Sequence, residues 1–322
     1  MPTDLDRAAP AEPLSPGEPD GVTAVRLAWL TLGLIACASS VIFIKLSQLD
    51  PVRLCALRLG VAVIVLAPFF LRDLRRHRAS VGAGELRRAL LPGAVLGVHF
   101  ISWVIGARMT PAVNSSLIVN MVPAVTPLLL WVLAGEWVGR REGLGTGVAL
   151  AGVLLLGGSD LSLSAEFVAG DAVCFGSMIL FALYLVLARR NRGLPSLWLY
   201  VVPLYACAGV LCAGVSAALE GPLFAPLPMR ELALAVGLGL VPTVVGHSIL
   251  NHTMQHVRGQ VVGVANLSQP LFAGIMAWVW LQEVPQSASY LAGGFVLVGV
   301  ILVIRGADGA LDGGVAKDVG AR

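Results

Sequence analysis

The feature that most constrains this chain is a series of ten apolar stretches, each close to the length of a membrane-spanning helix. A helix needs roughly 20 mostly apolar residues to cross a bilayer. The ten segments cover 27–46, 53–71, 90–107, 113–134, 142–158, 168–188, 196–218, 231–253, 260–281 and 287–304. Charged residues make up only 13% of the chain, about half the share found in soluble globular proteins. We therefore predict an all-α membrane protein with ten transmembrane helices.

Basic residues between the segments predict how the chain lies in the membrane. If both termini are cytoplasmic, 17 of the 22 lysines and arginines fall on the cytoplasmic side. Cytoplasmic loops are enriched in these residues. The distribution predicts an N-in, C-in topology with an even number of helices, in a multi-pass protein of the bacterial inner (plasma) membrane.

The two halves of the chain carry an internal repeat at an offset of 147 residues. A proline, a tryptophan and a glutamate recur with the same spacing, as Pro123, Trp131 and Glu136 and again as Pro270, Trp278 and Glu283. Over the 35 positions that begin at each proline, 10 are identical, which indicates a true repeat. Because five helices is an odd number, the second copy crosses the membrane in the opposite direction. Such inverted repeats are typical of secondary transporters, with the substrate site at the repeat interface.

The repeat divides the chain into four parts. We predict a disordered cytoplasmic tail over 1–22, a first five-helix unit over 23–159, an inverted second unit over 160–305 and a disordered tail over 306–322. Both tails are polar and poor in large apolar residues, a composition typical of disordered segments. The predicted fold is two inverted five-helix repeats.

Several motifs are shared with a known family. They are Lys45, Pro51 and Arg58 around the first two segments, the stretch from Pro123 through Glu136 to Gly143, and the parallel stretch from Pro270 to Val303. In these residues the sequence resembles EamA-type permeases of the drug/metabolite transporter superfamily, with one EamA domain in each half. The resemblance covers about residues 27 to 304. It implies a transporter of amino acids or other small metabolites, and not an enzyme.

Prolines and polar side chains lie together in the fourth and ninth segments. Pro123 and Pro270 stand near the middle of these segments, where a proline removes a backbone donor and kinks the helix, so we predict both as hinges. The polar neighbours are Ser116, Asn120, Asn266, Ser268 and Gln269. In lipid such groups need partners, so they either line a central cavity or bond neighbouring helices. We predict Asn120, Asn266 and Gln269 as substrate-binding residues.

The third and eighth segments carry matching polar faces. His99 and Trp103 are four residues apart and share a helix face, and His247, Asn251 and Gln255 repeat that spacing. The two histidines are related by the repeat, so they are candidates for a protonatable element that would couple transport to protons. A purely structural role is the alternative. The substrate-binding residues predicted here and on the sixth segment are His99, Trp103, Tyr184, His247 and Asn251.

Charged side chains lie near the ends of the predicted spans. Glu136 and Glu283 would lie on opposite faces of the membrane, and we predict both as salt-bridging gate residues, with Arg140 as the partner of Glu136 one helical turn away. A further charged cluster at the outer ends of the first two segments consists of Lys45, Asp50, Arg53 and Arg58. We expect these side chains to pair or to extend toward the membrane surface. No lysine or arginine is then left at the midplane, which disfavours a phosphorylated cargo.

No aspartate or glutamate lies in the central third of any predicted span. A proton-coupled exporter of cationic drugs would be expected to bury a carboxylate there, so the predicted cargo is neutral or zwitterionic and amino-acid-like. No motif for a metal, another cofactor or nucleic acid is present, so none is predicted. The chain is predicted to be a secondary transporter that exports such a metabolite by alternating access. A nucleoside, nucleobase or drug permease is the alternative within the superfamily, and a membrane-embedded enzyme the alternative from another class.

Overall fold

A computed structural model of the 322-residue chain describes residues 24–110, 112–160, 167–191, 193–221, 226–281, 291 and 293–306. Helices and short connections account for these residues, and no β-strand occurs in these ranges. The all-helical class predicted from the sequence is therefore correct for the described part of the chain.

The helices are numbered in chain order. They are α1 Ala24–Ala38, α2 Ser40–Leu46, α3 Pro51–Arg76, α4 Ala83–Arg87, α5 Leu90–Met109, α6 Ala112–Asn120, α7 Thr126–Ala134, α8 Arg140–Asp160, α9 Val168–Arg190, α10 Leu197–Leu219, α11 Met229–Leu238, α12 Ser248–His256, α13 Gly259–Asn266, α14 Gln269–Leu281 and α15 Gly293–Gly306. A 3-10 turn, Val122–Ala124, separates α6 from α7, and a π-helical segment, Gly239–His247, joins α11 to α12.

Among the described residues, seven helical stretches are long and apolar enough to cross a membrane. They are Val25–Leu46, Pro51–Arg76, Ala83–Met109, Val168–Arg189, Leu197–Leu219, Met229–His256 and Gly259–Trp280. The other three predicted segments also contain helices: the fourth holds α6 and α7 with the interruption between them, the fifth holds α8, and the tenth holds α15. The chain is a multi-pass membrane protein. The count of ten spans, the position of the termini and the proposed domain limits stay predictions.

The surface of the bundle is apolar where a soluble protein would be polar. Large side chains such as Ile64, Val210 and Leu128 are mostly exposed, and such extensive apolar exposure marks contact with lipid or with another protein. The two tryptophans of the repeat, Trp131 and Trp278, are each 48% exposed. Residues that match in the repeat thus also occupy matching environments.

The most extensive helix contacts run between the two halves of the chain. Helix α5 packs on α9, α3 packs on α10, and α1 packs on the π-helical segment. In each pair one helix comes from each half. The halves therefore form one interleaved bundle, and any cavity at its centre has walls from both.

Both prolines predicted as hinges lie at interruptions of their helices. Around Pro123 the chain leaves α6, makes the 3-10 turn and enters α7. Pro270 is the second residue of α14, and the turn before it is closed by bonds from Leu267 N to Val264 O and from Ser268 N to Ala265 O, both 3.0 Å. A proline is accepted readily in the first turn of a helix because no donor is needed there.

A third interruption, which the sequence analysis did not identify, lies at Pro242 in the π-helical segment. Proline cannot donate to the carbonyl four residues earlier, that of Leu238. The hydroxyl of Thr243 donates to this carbonyl at 3.0 Å and at the same time accepts from Nε of Arg58 at 3.0 Å. Single π-helical turns often occur at functional sites. Here the turn places a charged residue of the first half against the second half.

Glycines allow α8 and α15 to approach closely. A Cβ on Gly299 would lie 2.5 Å from Cβ of Ala149 and 2.6 Å from the carbonyl oxygen of Gly145. Gly294, on the same helix, has open space where its Cβ would be. Small residues at such crossings are a common way to pack membrane helices.

We predict that Gly299→Ala destabilises the protein by about 1–3 kcal/mol, because the added methyl group overpacks the crossing of α8 and α15. The matched control, Gly294→Ala, should leave the melting temperature of detergent-purified protein within error of the wild type. Equal melting temperatures for the two variants would contradict the close crossing.

We predict that Thr243→Val lowers stability by about 1–3 kcal/mol, because it leaves the Leu238 carbonyl and Arg58 Nε without this partner. Thr253→Val is the control: its hydroxyl bonds the Ile249 carbonyl in the regular helix α12, where the backbone bond remains. Thermal unfolding followed by circular dichroism measures both, and a control that is as unstable as Thr243→Val would argue against the special role of Thr243.

Candidate functional site

A cavity of about 40 Å³ lies at the interface of the two halves. By the same measure one water needs roughly 10–15 Å³, so the space is that of a few water molecules. Its walls are Cys37, Ala38, Ser40, Val41, His99, Phe100, Trp103, Ser116, Val119, Asn120, Phe181, His247 and Gln269. Phe181, His247 and Gln269 come from the second half and the others from the first. None of these wall residues carries a carboxylate, an ammonium or a guanidinium group.

Five of the residues predicted to bind substrate lie on this wall: His99, Trp103, Asn120, His247 and Gln269. Their convergence on one cavity follows from helix spacing and the repeat.

The two repeat-related histidines differ in their hydrogen bonding. Nδ1 of His99 lies 3.0 Å from the carbonyl oxygen of Ser177 and 2.8 Å from its hydroxyl. Because a carbonyl can only accept, Nδ1 donates in that contact, and Nε2 of the neutral ring is left as an acceptor. Nδ1 of His247 has no hydrogen-bond partner among the described residues. His99 is thus oriented by a hydrogen bond from its ring, whereas Nδ1 of His247 is buried without a partner in the described ranges.

Trp103 resembles His247 in this respect, since its indole Nε1 is buried and unpaired within the described part of the chain. Buried polar atoms without partners are few in native proteins and call for an explanation at each position. Both atoms belong to residues of the cavity wall but are themselves buried.

Stacked rings form one side of the cavity. The ring of His99 stacks on that of Phe181 with centroids 4.9 Å apart and lies parallel to Trp103 at 6.3 Å. His247 meets the edge of Phe100 at 5.1 Å. Phe100 and Phe181 were not predicted as site residues. The signal for Phe181 was its position on the face of α9 shared with Ser177 and Tyr184.

Tyr184, Asn251 and Asn266 lie behind the wall and were predicted to bind substrate directly. The amide of Asn251 donates to the Tyr184 hydroxyl and, at 2.8 Å, to the carbonyl of His247. Asn266 is fully buried, and its Oδ1 accepts from Nε2 of Gln269 at 2.5 Å. In this conformation these side chains position His247 and Gln269 and do not border the cavity.

The location of the Arg58 side chain differs from the one predicted from the sequence. It was expected at the membrane surface with Lys45, Asp50 and Arg53, but its side chain is fully buried. Its Nε donates to Thr243, and Cζ lies 3.9 Å from the centroid of the Phe100 ring. The packing of α3 against α10 and the π-helical segment explains the difference, because it covers the face of α3 that carries Arg58. The absence of a deep basic residue therefore no longer argues against an anionic group on the cargo.

Glutamates join the two halves at one end of the bundle. Glu136 forms a salt bridge with Arg189 of α9. The prediction that Arg140 pairs with Glu136 is wrong. It assumed that the two residues lie one turn apart on a helix, but α7 ends at Ala134 and residues 135–139 are not helical. Arg258 forms a second bridge there, to Glu142 at 2.8 Å. Glu283 lies outside the described residues.

A different glutamate closes the opposite end, at the loop between α2 and α3. The carboxylate of Glu231 accepts from the Ser47 hydroxyl at 2.7 Å and from the backbone of Gln48 at 3.1 Å. Glu220 caps the start of α3 by accepting from the backbone of Val52 and Arg53. The sequence analysis assigned no role to either glutamate. Both ends of the bundle thus hold the halves together through carboxylates.

Among the described residues no group of three or more histidines, cysteines, aspartates or glutamates could hold a metal ion. The five cysteines are all free.

Comparison with known proteins agrees with this architecture. The chain is 26% identical over 287 residues to an uncharacterized transporter of Archaeoglobus fulgidus, covering 88% of this chain and 96% of the relative. It is 27% identical over 209 residues to a protein of Streptantibioticus cattleyicolor named a probable terminal-alkyne amino-acid exporter, covering 64% of this chain and 67% of the relative. A solved crystal structure matches with a TM-score of 0.73 at 18% identity, over 89% of this chain and 99% of the other. That likeness shows the shared fold.

The family assignment rests on both halves of the chain. The model of the EamA-like transporter family matches residues 25–158 and again residues 168–305. Two matches in tandem agree with the internal repeat and together cover most of the sequence. The chain belongs to the EamA-like transporter family and is a membrane transporter rather than an enzyme.

Proposed function

We propose that the protein is a secondary transporter that exports a small neutral or zwitterionic, amino-acid-like metabolite across the bacterial inner membrane by alternating access. The observation that carries this proposal is the cavity shared by both halves, whose wall combines aromatic rings with the polar side chains of Asn120, His247 and Gln269. A site at the interface of inverted repeats can be opened to either side of the membrane by relative motion of the repeats.

The chemistry of the wall supports the cargo class. Aromatic rings attract an ammonium group, and Phe181 and Trp103 bring such rings to the wall of the cavity. Amide side chains of Asn120 and Gln269 offer donors and acceptors without a net charge. The name of the Streptantibioticus relative, an amino-acid exporter, agrees with this class and supports the direction of transport.

The size of the cavity supports alternating access. A space for a few waters is too small for an amino acid with its side chain, so the halves have to separate before cargo enters. The interruptions at Pro123 and Pro270 are suited to act as hinges, and the carboxylate contacts at the two ends of the bundle are suited to act as gates. One end would open while the other stays closed.

We predict that Asn120→Ala and Gln269→Ala each reduce the uptake of a radiolabelled L-amino acid into proteoliposomes by about tenfold or more, the effect of losing roughly one hydrogen bond to a charged group. The panel contains L-leucine, L-phenylalanine, L-threonine, adenosine and uridine, so that a nucleoside carrier is recognised by the same assay.

Asn191→Ala is the matched control for these variants. The amide of Asn191 donates to the carbonyl four residues earlier at 2.8 Å, as the amide of Asn120 does, but Asn191 is remote from the cavity. Transport that is unchanged in all three variants would refute the proposed pocket.

We predict that Arg189→Glu slows transport several-fold and lowers stability by about 3–5 kcal/mol, because it puts a carboxylate at the buried position 189, opposite the like charge of the partly exposed Glu136. The double variant Glu136→Arg, Arg189→Glu restores the pair and should recover most of both losses, measured by flux and by thermal unfolding. Arg72→Glu serves as the control, since Arg72 is largely exposed and bonds only its neighbour Asp73 among the described residues. If the double variant recovers neither flux nor stability, the proposed gate role of the Glu136–Arg189 pair is contradicted.

A further inference from the structure

Arg58 is a buried charged residue that lacks most of its hydrogen-bond partners and a counter-charge among the described residues. Arginine stays protonated in proteins and has five N–H donors, and in this structure only Nε has a hydrogen-bond partner. Nη1 and Nη2 are buried and have no partner among the described residues. No carboxylate of the described chain forms a salt bridge with it. A buried charge without such a partner is costly, so its retention calls for a function.

The free part of the guanidinium has a definite shape. Because Nε is bonded to Thr243, the two donors left are the paired groups Nη1 and Nη2 at the end of the side chain. This planar pair matches the two oxygens of a carboxylate in a bidentate arrangement. The bond to Thr243 also orients the guanidinium, and the hydroxyl of Thr243 is itself held by its bond to the Leu238 carbonyl.

The guanidinium lies one side chain away from the cavity. Phe100 is the residue that both lines the cavity and stacks on Arg58, with 3.9 Å between Cζ and the ring centroid. The Phe100 ring is also in T-shaped contact with the ring of His247, with centroids 5.1 Å apart. A single side chain thus contacts both the guanidinium and the cavity. The ring itself partly stabilises the charge through a cation–π contact.

We propose that Arg58 is the subsite for the carboxylate of the transported metabolite and that the Phe100 ring covers it in the conformation described here. The proposal deepens the proposed function and rests on it. It divides a zwitterionic cargo between two surfaces: the aromatic wall of His99 and Phe181 takes the ammonium end, and Arg58 takes the carboxylate.

The experiment measures binding by the melting temperature of purified full-length protein in detergent. The probes are matched pairs, the free L-amino acid and its primary amide, for alanine, leucine and phenylalanine, together with inorganic phosphate. A ligand that binds the folded state raises the melting temperature according to its affinity. We expect wild type to bind at least one acid about 10–100-fold more tightly than its amide, the range for a charge-assisted hydrogen bond.

Two variants of Arg58 separate a binding role from a structural one. Arg58→Met replaces the charge by an apolar chain of similar length, and it should fold with an unchanged or higher melting temperature while losing the preference for the acid. Arg58→Lys keeps the charge without the planar pair and should retain only a small preference. Arg72→Gln, on the exposed end of the same helix, is the control and should behave as wild type.

The Phe100→Ala variant tests the cover. If the ring has to move before the carboxylate binds, its removal raises the fraction of protein molecules that can bind the carboxylate, and the affinity for the acid increases. This increase in affinity should vanish when Arg58→Met is added. Acid binding that is unchanged or weakened by Phe100→Ala, or a gain that persists without Arg58, would overturn the cover.

The results that overturn the subsite differ from those that overturn transport. Retention of the acid preference in Arg58→Met, severe destabilisation of that variant without ligand, equal binding of acid and amide by wild type, or stabilisation by phosphate in place of the acids each overturns the carboxylate subsite. Transport itself is read separately from flux of the amino-acid and nucleoside panel into proteoliposomes. Flux that persists in Arg58→Met, for example, would support the proposed transport function and contradict a role for Arg58 in it.

Discussion

A backbone carbonyl that loses its helical partner inside a membrane has no water to replace it, and the interrupted helices of this protein are arranged around that constraint. The interruptions at Pro123, Pro242 and Pro270 each lie where the other half of the chain packs against them. At Pro242 the hydroxyl of Thr243 donates to the Leu238 carbonyl and also accepts from Arg58. A local requirement of the backbone thus places a charged side chain of the first half against the second.

The cavity follows from the same arrangement. Because the halves interleave, the middle of α5 faces α9 and the π-helical segment across the centre of the bundle. Five of the thirteen residues that line the cavity carry rings, with amides, hydroxyls and small apolar side chains between them. Most polar groups around the cavity are satisfied locally: the amides of Asn120 and Asn266 bond back to their own helices at 2.8 and 2.7 Å. Buried polar atoms of Trp103, His247, Asn251 and Arg58, in contrast, have no hydrogen-bond partner among the described residues.

Stability and function pull in different directions at this centre. A membrane protein selected for stability alone would fill the cavity and replace Arg58 by an apolar residue, since an unpaired buried charge is unfavourable. The carboxylate contacts at the ends of the bundle, such as Glu231 on the α2–α3 loop and Glu136 on Arg189, hold the halves together away from the cavity. A strong closure at the ends and a weakly satisfied centre are the properties that alternating access needs.

By itself the sequence determined the helical class, the membrane location, the repeat and the breaks at Pro123 and Pro270, because these depend on local composition, spacing and backbone chemistry. It also identified the polar part of the cavity wall, since polar side chains are conspicuous within apolar helices. Phe100 and Phe181 were not distinguishable from lipid-facing residues by type. Only the tertiary structure decided that Arg58 turns inward to Thr243, 185 positions away, and that Glu136 bonds Arg189. Such pairs depend on which helices pack together, and no local pattern in an apolar chain encodes that choice.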